Sequence, residues 1–135
     1  MTGSMDPTEL RELQVDVRAW SLASGLGRIA FGVGMLAAPE SALRALGFTD
    51  VSPATVAVTR VAGVRDLVLG LVTMAGLEDR DRLRRATVAN AVADSGDTLA
   101  FGIALRSPER AAGLRGLGAA LPAAAAGFWT AWRLS

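Results

Sequence analysis

Three polar residues, Asn90, Asp94 and Asp97, follow one another at i, i+4 and i+7 in an otherwise apolar stretch, ATVANAVADSGDTLAFGIAL. That spacing puts them on one face of a helix. Thr98 borders the face and Phe101 continues it. A second apolar stretch, RVAGVRDLVLGLVTMAG, carries Arg65 and Asp66 side by side, and a third, SLASGLGRIAFGVGMLAA, holds Arg28 alone. Carboxyls and guanidiniums gathered where the dielectric is low can do acid–base work, because desolvation and neighbouring charges hold one carboxyl protonated and another ionised. The chemistry expected is cofactor-free and acts on an apolar small molecule, by isomerisation, cyclisation or epoxide opening. In that scheme Asp94 and Asp97 are acid and base, Asp66 stands with them, and Arg28 and Arg65 orient them. Arg60, Asn90 and Phe101 complete the candidate site as substrate-binding residues.

Composition narrows the alternatives. The 135 residues include no Cys, no His and no Tyr, and every basic side chain is Arg. Disulfides, thiol nucleophiles, Cys/His zinc sites, imidazole bases and lysine Schiff bases are excluded together. An all-oxygen metal site is not excluded, but no EF-hand or similar loop is present, and no metal or cofactor is expected. The net charge is only +1 and aromatics are 5%, with the arginines spread along the chain. A basic face interleaved with aromatics, the mark of a nucleic-acid binder, is missing.

The elements that must position these residues are four Gly- and Ala-rich apolar segments, at about Ser21–Ala38, Thr55–Leu77, Ala86–Leu105 and Ala111–Leu134. Each is near the ~20 residues that cross a bilayer as a helix, and their small residues allow close helix packing. Pro39 ends the first segment, and PESALRALGF reads as a short amphipathic helix stopped by Gly47. Ser52–Pro53 and Ser107–Pro108 each read as an N-cap followed by proline at the first helical position, with Glu109 near a positive helix end. Residues 1–20 are read as a tag scar, MTGSM, ahead of a short surface amphipathic helix, and residues 21–135 as a four-helix membrane domain. The expected fold is therefore all-α, a four-helix transmembrane bundle with a short N-terminal amphipathic helix. A soluble bundle needs a wide polar face on each helix. Arg60, Arg65 and Asp66 form no such face in the second segment.

Arginines set the expected orientation. Arg11, Arg18, Arg80, Arg82, Arg84, Arg85 and Arg133 outnumber Arg44, Arg106 and Arg110 on the other side, which puts both termini in the cytoplasm and the protein in the inner membrane. Trp129 and Trp132 read as an interfacial anchor. Within the segments Arg28, Arg60 and Arg65 balance Asp66, Asp94 and Asp97. Charges inside a membrane helix face the bundle interior and pair. Gly25, Arg28 and Gly32, like Gly63, Asp66 and Gly70, are spaced so that each charge lies between two glycines.

The pattern Arg28, Gly32, Pro39, then RVAGVRDLVLG from Arg60 to Gly70, then DSGD at Asp94–Asp97 resembles a family of small four-helix membrane proteins of bacteria and fungi that is filed as a domain of unknown function. The resemblance covers roughly Arg28 to Leu105. It implies four helices with polar residues inside, and it implies no activity. Two other functions stay open beside the enzyme. A structural or partner-binding subunit would use Gly25, Gly32, Gly34, Gly63 and Gly70 for helix packing. A small proton-coupled transporter would need a membrane carboxylate, and a balanced inward charge argues against it. The expected partners are an apolar small molecule or lipid and the membrane, with a homo-oligomer left open.

Overall fold

A computed structural model describes residues 6–135, and the side chains of Asp6 and of residues 17–135. MTGSM lies outside the described residues. Five helices and no strands make up the described chain: α1 (Pro7–Ala37), α2 (Pro39–Leu46), α3 (Pro53–Gly76), α4 (Arg80–Ala104) and α5 (Arg110–Arg133). The fold is all-α. The segment expected as a separate N-terminal amphipathic helix is continuous with the first apolar segment, so α1 is one rod of 31 residues. Nothing between residues 7 and 37 breaks a helix: the only proline stands at its first position.

Pro39 does break it. Ala38 leaves helical geometry at φ −137° and ψ 61°, and α2 starts on the proline. Gly47 ends α2 at φ 94°, a left-handed conformation that L side chains rarely adopt. The Gly47 and Phe48 amides donate back to the Arg44 and Leu43 carbonyls, each at 3.0 Å. Ser52 caps α3 as its sequence implies, its hydroxyl accepting from the Thr55 amide at 3.3 Å. The charged run LEDRDRLRRA lies mostly within a helix. Asp79 accepts from the Arg82 amide at 3.0 Å and starts α4 at Arg80.

Ser107 departs from expectation. It closes the turn after α4, donating to the Ala104 carbonyl at 2.8 Å and accepting from the Glu109 amide at 3.1 Å, while α5 begins only at Arg110. Glu109 in turn reaches across to the loop before α3. Its carboxylate accepts from the Thr49 amide at 2.9 Å, the Thr49 hydroxyl at 2.5 Å and the Asp50 amide at 3.1 Å. Together with Arg115, which donates to the Ala45 carbonyl at 3.0 Å, it fastens that end of the bundle. At the opposite end Arg80 donates to the Leu134 and Arg133 carbonyls at 3.1 and 3.2 Å, and Val17, Leu77, Leu83 and Leu134 pack together.

The long helices pack as two close pairs, α1 with α3 and α4 with α5, joined chiefly where α3 meets α4. Glycine makes the first pair possible. A Cβ on Gly32 would stand 2.6 Å from the Gly63 carbonyl oxygen, and one on Gly70 would stand 2.7 Å from that of Gly25. The two glycine pairs expected from the sequence thus meet each other. Gly34 does not belong with them, having open space where its side chain would be.

Polar side chains share the interior with small and apolar ones, and many large apolar side chains are exposed. Thr73 and Thr130 are the bulkiest side chains wholly enclosed, and Asp66, Asn90 and Asp94 are buried. Val58, Val61, Leu71, Val92, Leu99, Ile103 and Leu121 are exposed, as are Trp20, Trp129 and Trp132. Among the described residues one segment, Val17–Ala37, is long and apolar enough to cross a membrane.

Two predictions follow from these joints. Gly32→Ala forces α1 off the α3 backbone and lowers stability by about 1–3 kcal/mol, whereas Gly34→Ala is neutral or stabilising by up to about 1 kcal/mol, both read as thermal midpoints in the same detergent. Hydrogen bonds from Thr49 and Asp50 hold the Glu109 carboxyl below its ordinary pKa. Its contribution is therefore full above the ordinary glutamate range and lost as pH falls through the lowered value. Glu109→Gln should lower the midpoint at neutral pH and bring it toward that of wild type as acid is added. Parallel curves at all pH values would contradict this.

Candidate functional site

Five of the predicted site residues form one chain of ion pairs across three helices. Arg28 of α1 donates through Nη1 to Asp66 Oδ1 of α3 at 2.8 Å and through Nη2 to Asp94 Oδ2 of α4. Arg65 donates to Asp97 through both terminal nitrogens, at 2.7 Å each, and through Nη2 to Asp66 Oδ1 at 3.3 Å. The order along the chain is Asp94, Arg28, Asp66, Arg65, Asp97. Arg28 bridges because its planar fork presents two donors in one direction, to two acceptors that sit on different helices. Arg65 instead gives its fork to a single carboxylate.

Burial grades along this chain. Arg28, Asp66 and Asp94 are enclosed, while Arg65 and Asp97 are partly open. The Arg65 Nε is buried with no acceptor. Asp66 Oδ2 and Asp94 Oδ1 accept no hydrogen bond from the described residues. Two guanidiniums thus serve three carboxyls.

The chain of charges lines a cleft of about 380 Å³ between the two helix pairs. All five helices contribute to its walls. Ser24, Gly27, Arg28, Phe31 and Met35 come from α1, Leu46 from α2, Ala62, Arg65 and Asp66 from α3, Asp94, Asp97 and Phe101 from α4, and Gly116, Ala119, Ala120 and Ala123 from α5. The α5 wall is built of small residues, and at Gly116 the Phe101 ring leaves no room for more, since a Cβ there would come within 2.3 Å of it. One wall is therefore ionic and the rest is apolar, a form suited to an apolar molecule with one polar group.

Arg60 is not part of this site. It lies exposed, outside the cleft lining. Six residues before Asp66 is about 240° around a helix, which turns Arg60 away from the inward face. The expected balance of three arginines against three aspartates fails with it, and the inward charge has an excess carboxyl. Asn90 is inward but set apart. Its Nδ2 donates to the Thr73 hydroxyl at 2.9 Å, and it lines a smaller chamber that shares Ser24 and Asp94 with the cleft. Phe101 lines the cleft as expected. Sequence reasoning missed the apolar and small residues of the wall, among them Phe31 and Met35 of α1, Leu46 of α2, Ala62 of α3 and Gly116, Ala119, Ala120 and Ala123 of α5, none of which carries a chemical label. Among the described residues no group of three or more His, Cys, Asp or Glu could hold a metal ion.

No curated protein and no solved structure matches this chain. A family match covers residues 25–134, from the first glycine of the α1–α3 contact to the end of α5, and so takes in the whole ion-pair chain and every residue of the cleft wall but Ser24. The chain belongs to the family described as Domain of unknown function (DUF4267).

Proposed function

We propose that this is a small integral membrane protein whose cleft binds an apolar small molecule and acts on it by acid–base chemistry without a cofactor. The observation that carries the reading is the cleft itself, apolar on most of its wall and lined on the remainder by Arg28, Arg65, Asp66, Asp94 and Asp97. Asp97 has both oxygens in the fork of Arg65 and is the fixed charge of the pair. Asp94 keeps Oδ1 clear of the protein's hydrogen bonds, which makes it the carboxyl that takes and returns a proton. A single carboxyl that moves a proton between two carbons of one substrate suits an isomerisation, and Arg65 stands ready to pair with negative charge that develops on the substrate.

The membrane reading draws on the distribution of polarity. Lipid-facing helices need apolar exteriors and can keep small and polar residues between them. Here many valines and leucines of the long helices, among them Val58, Val61, Leu71, Val92 and Leu99, lie outside, and Thr73, Thr130, Asn90, Asp66 and Asp94 lie inside. Trp20, Trp129 and Trp132, exposed by 47%, 45% and 68%, are all the tryptophans of the chain. Trp129 and Trp132 stack on Arg133 at 4.9 and 5.7 Å, as anchors at a membrane–water boundary would. Four spans with both termini in the cytoplasm fit this arrangement and the arginine-rich start of α4.

The second reading is a structural one, favoured by the fact that Arg28 ties α1 to both α3 and α4. The same charges would then only fix helix register. Two experiments separate these ideas. The full chain should stay in the membrane fraction after an alkaline carbonate wash; release would remove the membrane architecture. Mass spectrometry of the organic extract of protein purified from membranes should identify an occupant, to be returned as substrate. Asp94→Asn should then keep the thermal midpoint and lose about 10²- to 10⁴-fold in turnover. A loss of about 3–5 kcal/mol of stability instead would mark a structural network.

A further inference from the structure

Behind Asp94, on the side away from Asp97, lies a second chamber of about 50 Å³ that the proposed reaction does not use. Its mouth is beside Trp20, and its wall includes Ser21, Thr73, Thr87, Asn90, Asp94 and Thr130. Four of the five hydroxyls of this wall have their protons committed, the fifth being that of Ser24, which can turn to donate or accept. Ser21, Thr73, Thr87 and Thr130 each donate to the carbonyl four residues earlier in their own helix, at 2.8 Å in every case. What they leave is lone pairs.

Asn90 adds a stronger signal. Its side chain belongs to a residue only 5% exposed, and its Oδ1 is buried with no hydrogen-bond partner. The amide cannot be turned to cure this. Thr73 has given its proton to Leu69, so it can only accept, and the amide nitrogen must face it. A buried carbonyl without a donor bears the full cost of its lost hydration. Asp94 completes the wall, at the end of an ion-pair chain with three carboxyls and two guanidiniums. The chamber thus gathers neutral oxygen acceptors beside one excess negative charge, and both call for a small occupant with positive charge. Oxygen ligands of this kind suit hard cations, and a single uncompensated carboxyl suits a single charge.

We infer that the chamber is a binding site for a monovalent alkali cation of the size of sodium, held by Asn90 Oδ1, Asp94 and the committed hydroxyls. The site shares Asp94 with the larger cleft, but its test needs no substrate. Thermal midpoints of the full-length protein in detergent would be compared in sodium chloride and in N-methylglucamine chloride at equal ionic strength. Sodium should raise the midpoint saturably, by about 4 °C or more once it exceeds its dissociation constant many-fold. Asn90→Leu should abolish the sodium-dependent rise. Thr87→Val, which keeps side-chain volume, should weaken sodium binding several-fold even if Asn90→Leu folds poorly. Thr59→Val, whose hydroxyl bonds to Thr55 outside the chamber, should leave it unchanged. Equal midpoints in the two salts, or a sodium response that survives in both chamber variants, would mean that the chamber holds water only and would overturn the assignment.

Discussion

Two guanidiniums are shared among three carboxyls, and the rest of the bundle is arranged around that fact. Removing an ion from water costs several kcal/mol, and a pair recovers it only with good geometry and few idle lone pairs. Arg28 meets that demand by reaching two helices at once. For it to do so, α1 must lie close to α3. The contact of Gly32 with Gly63 and of Gly25 with Gly70 brings the two backbones together on either side of Arg28 and Asp66. Any side chain there would separate the helices and lengthen the ion pairs. The glycines and the charges are therefore one device, and neither explains the α1–α3 contact alone.

The same device explains why the interior is poor in large apolar residues. Space near the charges goes to glycine, alanine and threonine, whose hydroxyls bond back to their own helices and add no unmet donors. Small residues leave room, and the room is the cleft. The large apolar side chains are displaced to the outer surface. The apolar stretch of α3 carries Arg60, Arg65 and Asp66 and that of α4 carries Asp94 and Asp97, whereas Val17–Ala37 of α1 carries Arg18 and Arg28. Average hydropathy and the side of the helix that carries the charge are separate properties, and only the second decides what the outer surface meets.

Much of this was legible in the sequence because helical spacing is a strong constraint. Asp94 and Asp97 on one stripe, and a charge between two glycines in each of α1 and α3, are local facts that a periodic backbone turns into geometry. The stop at Pro39, the left-handed Gly47 and the Ser52 cap were likewise readable from single residues. What could not be read depends on neighbours that are distant in sequence. The continuity of residues 7–20 with α1 was hidden by a change from polar to apolar composition, which a helix crosses freely. Ser107 and Glu109 looked like helix-start signals, yet their partners lie at the end of α4 and in the loop at Thr49. The α5 wall was invisible because glycine and alanine carry no chemical label.

Arg60 shows why counting charges in a segment differs from counting them in a site. Moving it outward changes an apparently neutral interior into one with an excess carboxyl, and it withdraws the argument from neutrality that disfavoured ion-coupled function. The excess falls next to a chamber whose wall includes lone pairs at four committed hydroxyls and at Asn90 Oδ1. Asp94 belongs to both cavities. Whatever satisfies its charge from the chamber side also sets how strongly it acts on a molecule in the cleft, because a carboxyl in low dielectric feels both neighbours at once. The two cavities thus share Asp94, along with Ser24 and Ala123, and in the proposed scheme an occupant of the smaller bears on the charge that Asp94 presents to the larger.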